Sequence, residues 1–116
     1  MELRVLSDDG DVLRLELAGR VLQSDSIPDL APFDDLLGPS GYARRVSLSL
    51  AETRFIDTRC LAWLLALHKR FSEAGGRLVM HSIRPQLMDL LTMLRFVEIL
   101  SIAEDEAGAL ELLRQG

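Results

Sequence analysis

Apolar residues at Leu3 and Val5, and again at Val12, Leu13, Leu15 and Leu17, flank the run Ser7-Asp8-Asp9-Gly10-Asp11. Alternation around such a turn-forming stretch predicts two strands joined by a hairpin, the second ended by Gly19. Ser24-Asp25-Ser26 supplies capping side chains for a helix with Pro28 in its first turn, where a missing N–H costs nothing. Ile27, Leu30, Phe33, Leu36 and Leu37 fall on one side of that helix, although Pro32 interrupts it. Gly38-Pro39-Ser40-Gly41 then stops it and forms a surface loop.

The next segment carries the strongest pattern. Val46, Leu48 and Leu50 alternate with serines and predict a buried strand, followed by a short loop that ends at Phe55-Ile56. From Thr58 onward the period becomes helical, with Leu61, Leu64, Leu65, His68 and Phe71 on one stripe and Lys69, Arg70 and Glu73 on the wet side. Gly75-Gly76 ends this helix. Leu78, Val79 and Met80 form a short inner strand, and Pro85 opens a helix with Leu87, Leu90, Leu91 and Leu94 in phase. Ile99 to Ile102 is a weak strand. A last helix runs from about Glu104 to Leu113 with Ala107 and Leu110 facing in. Strands separated by helices after an opening hairpin imply an α/β fold, a mixed central β-sheet with helices packed against it.

At 116 residues the chain fits one domain spanning 1–116, long enough to bury a core. Hydrophobic residues make up 48% and aromatics 5%, so Leu, Val, Ile and Ala fill that core. A formal charge of −5 argues against nucleic acid and against an anionic membrane as partners, since both demand a basic face. The start, MELRVLSDD, has neither the basic flank nor the apolar run of a signal peptide. Cys60 to Leu67, the longest apolar block, falls short of the about 20 residues that cross a bilayer. A cytoplasmic protein without membrane insertion is the expectation.

Chemistry-bearing residues are few. The lone Cys60 forms no internal disulfide, and no Cys or His cluster has metal-ligand spacing, so no metal or cofactor is expected. There is no G-x-S-x-G elbow, and Gly75-Gly76 lacks the P-loop lysine pattern. His68 reads as a packed or edge residue, and His81 follows a strand without an accompanying nucleophile. Trp63, Met88 and Met93 read as packing, and Asp34-Asp35 as a solvated helix face. No acid–base or nucleophile constellation supports an enzyme. What stands out is Asp57-Thr58 at the start of the central helix. A helix N-terminus leaves N–H groups unpaired and carries roughly half a positive charge. Thr58 therefore either caps the helix or accepts a phosphate there, with Arg54 and Arg59 close by in the chain.

Val46 to Ala74, VSLSLAETRFIDTRCLAWLLALHKRFSEA, resembles the signature of the STAS domain, the sulfate-transporter and anti-sigma-factor-antagonist family. In that family such a strand leads into an Asp-Ser/Thr-Ser-Gly-Leu turn. The resemblance extends to the opening hairpin, to the helix-Gly-Gly-strand unit Phe71 to Met80, and to the helix containing Leu90 to Phe96. It implies a STAS-like fold and a non-catalytic anti-sigma-factor antagonist that binds an anti-sigma factor and frees the sigma factor, so regulating transcription. Often the partner is itself a serine-threonine protein kinase that phosphorylates the antagonist, and a phosphatase reverses this. By position, Asp57 matches the motif acid, Thr58 the phospho-acceptor and Leu61 the apolar residue that seats the helix. With Arg59 and Cys60 these residues make the implied partner-binding face. Arg59 stands in place of the second hydroxyl and Cys60 in place of the Gly. Ser49 stands where an Asp is common at the end of the strand, and Leu22 where an acid often follows the second strand. A second role implied by the resemblance is a STAS subunit docked on the ATPase of a lipid-transport ABC system, which uses the same face and needs no phosphate.

Overall fold

The computed structural model describes residues 2–21, 31–56 and 60–115. Strands β1 (Glu2–Asp8) and β2 (Val12–Val21) pair antiparallel. Their connection is held by side chains: Asp8 Oδ1 accepts from Gly10 N at 3.0 Å, and Asp9 Oδ1 from Asp11 N and Val12 N at 2.9 and 2.7 Å. These are Asx turns, which explains the three acids around Gly10. The register of β1 shifts between Val5 and Ser7, so Leu6 has no partner across the pair. Val5 and Leu6 are about half exposed on this edge strand, while Arg4 pairs with Glu2 and Glu16. Gly19 does not end β2, which continues to Val21. A register shift falls between Gly19 and Arg20 instead, where Gly19 N donates to Glu52 O at 2.9 Å.

Helix α1 (Ala31–Leu37) is the described part of the first predicted helix; the Ser24-Asp25-Ser26 cap, Ile27, Pro28 and Leu30 lie outside the described residues. Phe33 is fully buried, whereas Leu36 is exposed and not on the inner side. A 3-10 turn at Gly41–Ala43 leads into β3 (Arg45–Ser49). The predicted loop after β3 holds a strand of its own, β4 (Thr53–Ile56). Helix α2 (Cys60–Glu73), strand β5 (Arg77–His81), helix α3 (Pro85–Met93), strand β6 (Ile102–Ala103) and helix α4 (Glu106–Gln115) complete the order. The sheet runs β1-β2-β3-β5-β6, with β4 pairing parallel to β2 beyond β3; every neighbouring pair except β1–β2 is parallel.

Two layers cover this sheet. Leu13, Leu15 and Leu17 of β2, Val46 and Leu48 of β3, and Leu78 and Met80 of β5 form one apolar cluster with α1, α2 and α3. On the other face α4 sets Ala109 and Leu113 on Val12 and Val79. The serines of β3 lie on this second face, yet Ser47 and Ser49 are buried. Their alternation marks small side chains in a covered parallel strand, not a wet face. The stripe of α2 is rotated from the expected one: Leu61, Trp63, Leu64, Leu67 and Phe71 are buried, and Leu65 and His68 flank them half-buried. Trp63 meets the Phe33 ring at 5.6 Å between centroids.

The end of α2 shows why two glycines stand together. Gly75 has φ +81°, and the bonds Gly76 N to Phe71 O and Gly75 N to Ser72 O close a Schellman turn. A Cβ on Gly76 would lie 2.1 Å from Tyr42 O, so only glycine lets β5 begin this close to the neighbouring chain.

Four expectations in the C-terminal third need correcting. Met93 is not packed but 72% exposed, because α3 ends there and Arg95, at φ 63°, turns the chain away. Where a strand was expected from Ile99, a 3-10 turn occupies Phe96–Glu98, Ile99 is exposed, and β6 is only Ile102–Ala103. The last helix starts at Glu106 because Asp105 caps it, accepting from Gly108 N at 2.8 Å. Packing on Val12 and Val79 sets its phase: Ala109 and Leu113 face in, Leu110 is half-buried and Ala107 is exposed.

Candidate functional site

Parallel pairing places the carboxyl ends of β2, β3, β4, β5 and β6 at one end of the sheet, where α2 and α3 begin. Ligands and partners of α/β sheets gather at this end, because the loops there vary without disturbing the strands. The chain leaves β4 at Ile56 and enters α2 at Cys60. Asp57, Thr58 and Arg59 lie outside the described residues, as do the side chains of Arg54 and Cys60. Leu22 lies outside them too. Leu61 is buried at 8% exposure in the main cluster, so it seats the first turn of α2 on the sheet. Beyond it, Ala62 is exposed and Ala66 half-buried, leaving a shallow helix face before the Lys69–Glu73 pair at 3.7 Å.

The turn from β3 to β4 is pinned on all sides. Leu50 N donates to His81 O at 3.0 Å, Thr53 N to Leu50 O at 3.1 Å, and Ala51 N to Ser49 Oγ at 3.3 Å. The buried Thr53 hydroxyl donates to Leu17 O at 2.8 Å, and Arg84 Nε donates to Ala51 O at 3.2 Å. Ser49, at the position where the STAS signature often carries an acid, thus holds the turn by a hydroxyl bond two residues ahead. Sequence reading missed Thr53 and Arg84; the Ser-Leu-Ala stretch at 49–51 carried a legible turn signal for Ser49 alone.

His81 does not follow a strand but closes β5, with 3% of its surface exposed. Its Nδ1 lies 2.9 Å from Ser82 Oγ, and Ser82 takes the left-handed conformation at φ 57° to turn the chain out of the sheet. Burial pushes the ring's pKa below the ordinary 6.5; Arg14 adds to this and Asp105 opposes it. The folded protein therefore binds this proton less readily than the unfolded chain. His81 contributes stability that is full above pH 6.5 and is lost as pH falls toward the lowered pKa. Urea denaturation at pH 8 and pH 5.5 is expected to show a larger loss in the wild type than in His81→Gln.

Asp34 is exposed, yet not merely solvated. It accepts from Tyr42 Oη at 2.7 Å and from Arg70 Nη2 at 3.2 Å, and Arg70 lies over the Tyr42 ring at 4.7 Å. Burial first, and the Asp34 carboxylate second, raise the Tyr42 pKa above its ordinary value. This cluster ties α1 and the 3-10 turn to the C-terminal half of α2. Asp8, held by Arg44 and by Gly10 N, has its pKa lowered to about 2. Among the described residues no group of His, Cys, Asp and Glu is placed to hold a metal, and no helix is long and apolar enough to cross a membrane.

A family model described as "Mlab, STAS domain" matches residues 5–101. Several solved structures share the fold. A proposed anti-sigma factor antagonist from Thermotoga maritima is 20% identical, with 97% of this chain and 93% of that chain covered at a TM-score of 0.73. An anti-sigma-factor antagonist (STAS) domain protein from Planctomyces limnophilus is 18% identical, with 97% of each chain covered and a TM-score of 0.73. The Bacillus cell fate determinant SpoIIAA in its phosphorylated form is 11% identical, with 97% of this chain and 99% of that chain covered and a TM-score of 0.60. At these identities the likeness is one of fold.

Proposed function

The chain belongs to the STAS domain family, and from that footing we propose that it is an anti-sigma factor antagonist, a partner-switching protein controlled by phosphorylation of Thr58. The observation that carries the reading is positional: Asp57-Thr58 falls between the end of β4 and the start of α2, at the carboxyl end of the parallel strands. The pinned β3–β4 turn and the buried Leu61 hold the described segments that precede and follow those residues in the chain. The names of the fold relatives, among them a phosphorylated form, support the same role.

In this reading the unmodified protein binds an anti-sigma factor through Asp57, Thr58, Arg59 and Cys60, with Leu61 seating the helix beneath and Ala62 exposed beside them. A kinase transfers the terminal phosphoryl of ATP to the Thr58 hydroxyl, releasing ADP, and a phosphatase removes it with water. An uncharged threonine enters an interface at little cost, whereas a phosphothreonine adds about −1.5 to −2 charges that must be desolvated or paired. Incubation with the cognate kinase and ATP, followed by mass spectrometry, is expected to place one phosphate on Thr58 and none on Thr58→Ala. A phosphate on another residue defeats the assignment.

A second reading keeps the face and drops the phosphate: a STAS subunit docked on the ATPase of a lipid-transport ABC system. Its specific support is the family description, which names Mlab and not an antagonist. The presence of Arg59 and Cys60 in the turn also suits docking without a switch. Gene neighbourhood separates the two, with a kinase and sigma factor beside the first and an ABC ATPase and permease beside the second.

A further inference from the structure

The same end of the sheet carries a feature the switch does not use. An open groove of about 300 Å³ lies between the start of α3 and β6, lined by Ile83, Met88, Ile102 and Ala103, with Glu104 at its rim. Three of these are large apolar side chains left half-exposed: Ile83 in the loop before α3, Met88 in α3 and Ile102 on the edge strand β6. We propose that this groove is a second anchor for the protein partner, receiving one apolar side chain flanked by a lysine or arginine. The proposal rests on the docking role of this end of the sheet, and extends the contact to the edge strand β6.

Size and charge select this occupant. About 300 Å³ is the lower bound for a small-molecule site, and suits a single inserted side chain better than a cofactor. Interfaces concentrate their energy in such anchors, and Met88 gives the wall the pliability to accept more than one shape. The rim carries an acid: Glu104 lines the groove, is exposed, and among the described residues pairs with no cation. Neither α3 nor β6 contains a Lys or Arg, and Arg84, which keeps its charge, directs its guanidinium to Ala51 O in the β3–β4 turn. A second copy of this chain, itself at net charge −5, would bring acids against acids. An anionic lipid surface meets the same repulsion, while a basic segment is attracted.

Methyl NMR of the full chain tests this, reading the Ile83, Ile102 and Met88 methyl groups during titration with two blocked tripeptides, Lys-Leu-Lys and Glu-Leu-Glu. Saturable shifts of these methyls with the basic peptide, at least fivefold tighter than with the acidic one, are expected, and Glu104→Lys should reverse the order. Equal response to both peptides, or no response, would overturn the proposal. So would methyl shifts that follow protein concentration alone, because a second copy would then be the occupant. The peptide response is expected unchanged in Thr58→Glu. A failure of the groove is therefore distinct from a failure of the switch, which is read by partner binding.

Discussion

Thr58→Glu is expected to weaken binding of the anti-sigma partner about a hundredfold, while Thr58→Ala leaves it within a few-fold of wild type. A hundredfold corresponds to about 3 kcal/mol, which is within reach of one buried charge placed where the interface expects a neutral hydroxyl. A carboxylate carries less charge than a phosphate, so true phosphorylation should weaken the complex at least as much. Isothermal titration calorimetry with the purified partner measures all three states. If Thr58→Glu binds as tightly as wild type, phosphorylation is not the switch and docking without it gains ground. If Thr58→Ala also fails to bind, the hydroxyl itself is a contact. Arg59 introduces a competing effect, because a fixed cation beside the new charge offsets part of the penalty. Arg59→Ser should then make the partner more sensitive to Thr58→Glu.

Trp63→Ala is expected to cost about 3–5 kcal/mol of folding stability, a large share of the roughly 5–15 kcal/mol that holds a domain together. Trp63 is fully buried, touches Phe33 of α1 and lies in the first turn of α2. Removing it opens a cavity between the two helices that the sheet beneath cannot fill. Urea denaturation followed by far-UV circular dichroism is the measurement, since Trp63 is the only tryptophan and its fluorescence is lost with it. Trp63→Phe retains most of the volume and should cost clearly less. A variant as stable as wild type would mean that α1 and α2 do not depend on this contact.

Much of the fold was legible because periodicity reports burial directly. The buried β3, the long α2, the Gly75-Gly76 stop and the inner β5 all appear in the expected order. What the chain did not disclose has local causes. Ser47 and Ser49 look like a solvent face until α4, sixty residues later in the chain, covers them. The phase of α4 is fixed by Ala109 and Leu113 packing on Val12 and Val79, distant in the chain, and Ala107, two residues before Ala109, is thereby turned outward. Strand β4 escapes notice because four residues carry too little alternation, and its pairing follows from the kink at Gly19 in a distant strand. The candidate turn was found by its resemblance to a known signature. Of its supports, Thr53 and Arg84 act through bonds to backbone atoms distant in the chain, which no local pattern encodes.

The displaced residue at Leu6 has a further consequence. Together with the charges of Glu2, Arg4 and Asp8, it makes the outer margin of β1 too bent and too strongly hydrated to template an incoming strand. Crowded copies of this protein therefore lack an easy route to cross-molecule sheet growth along this edge.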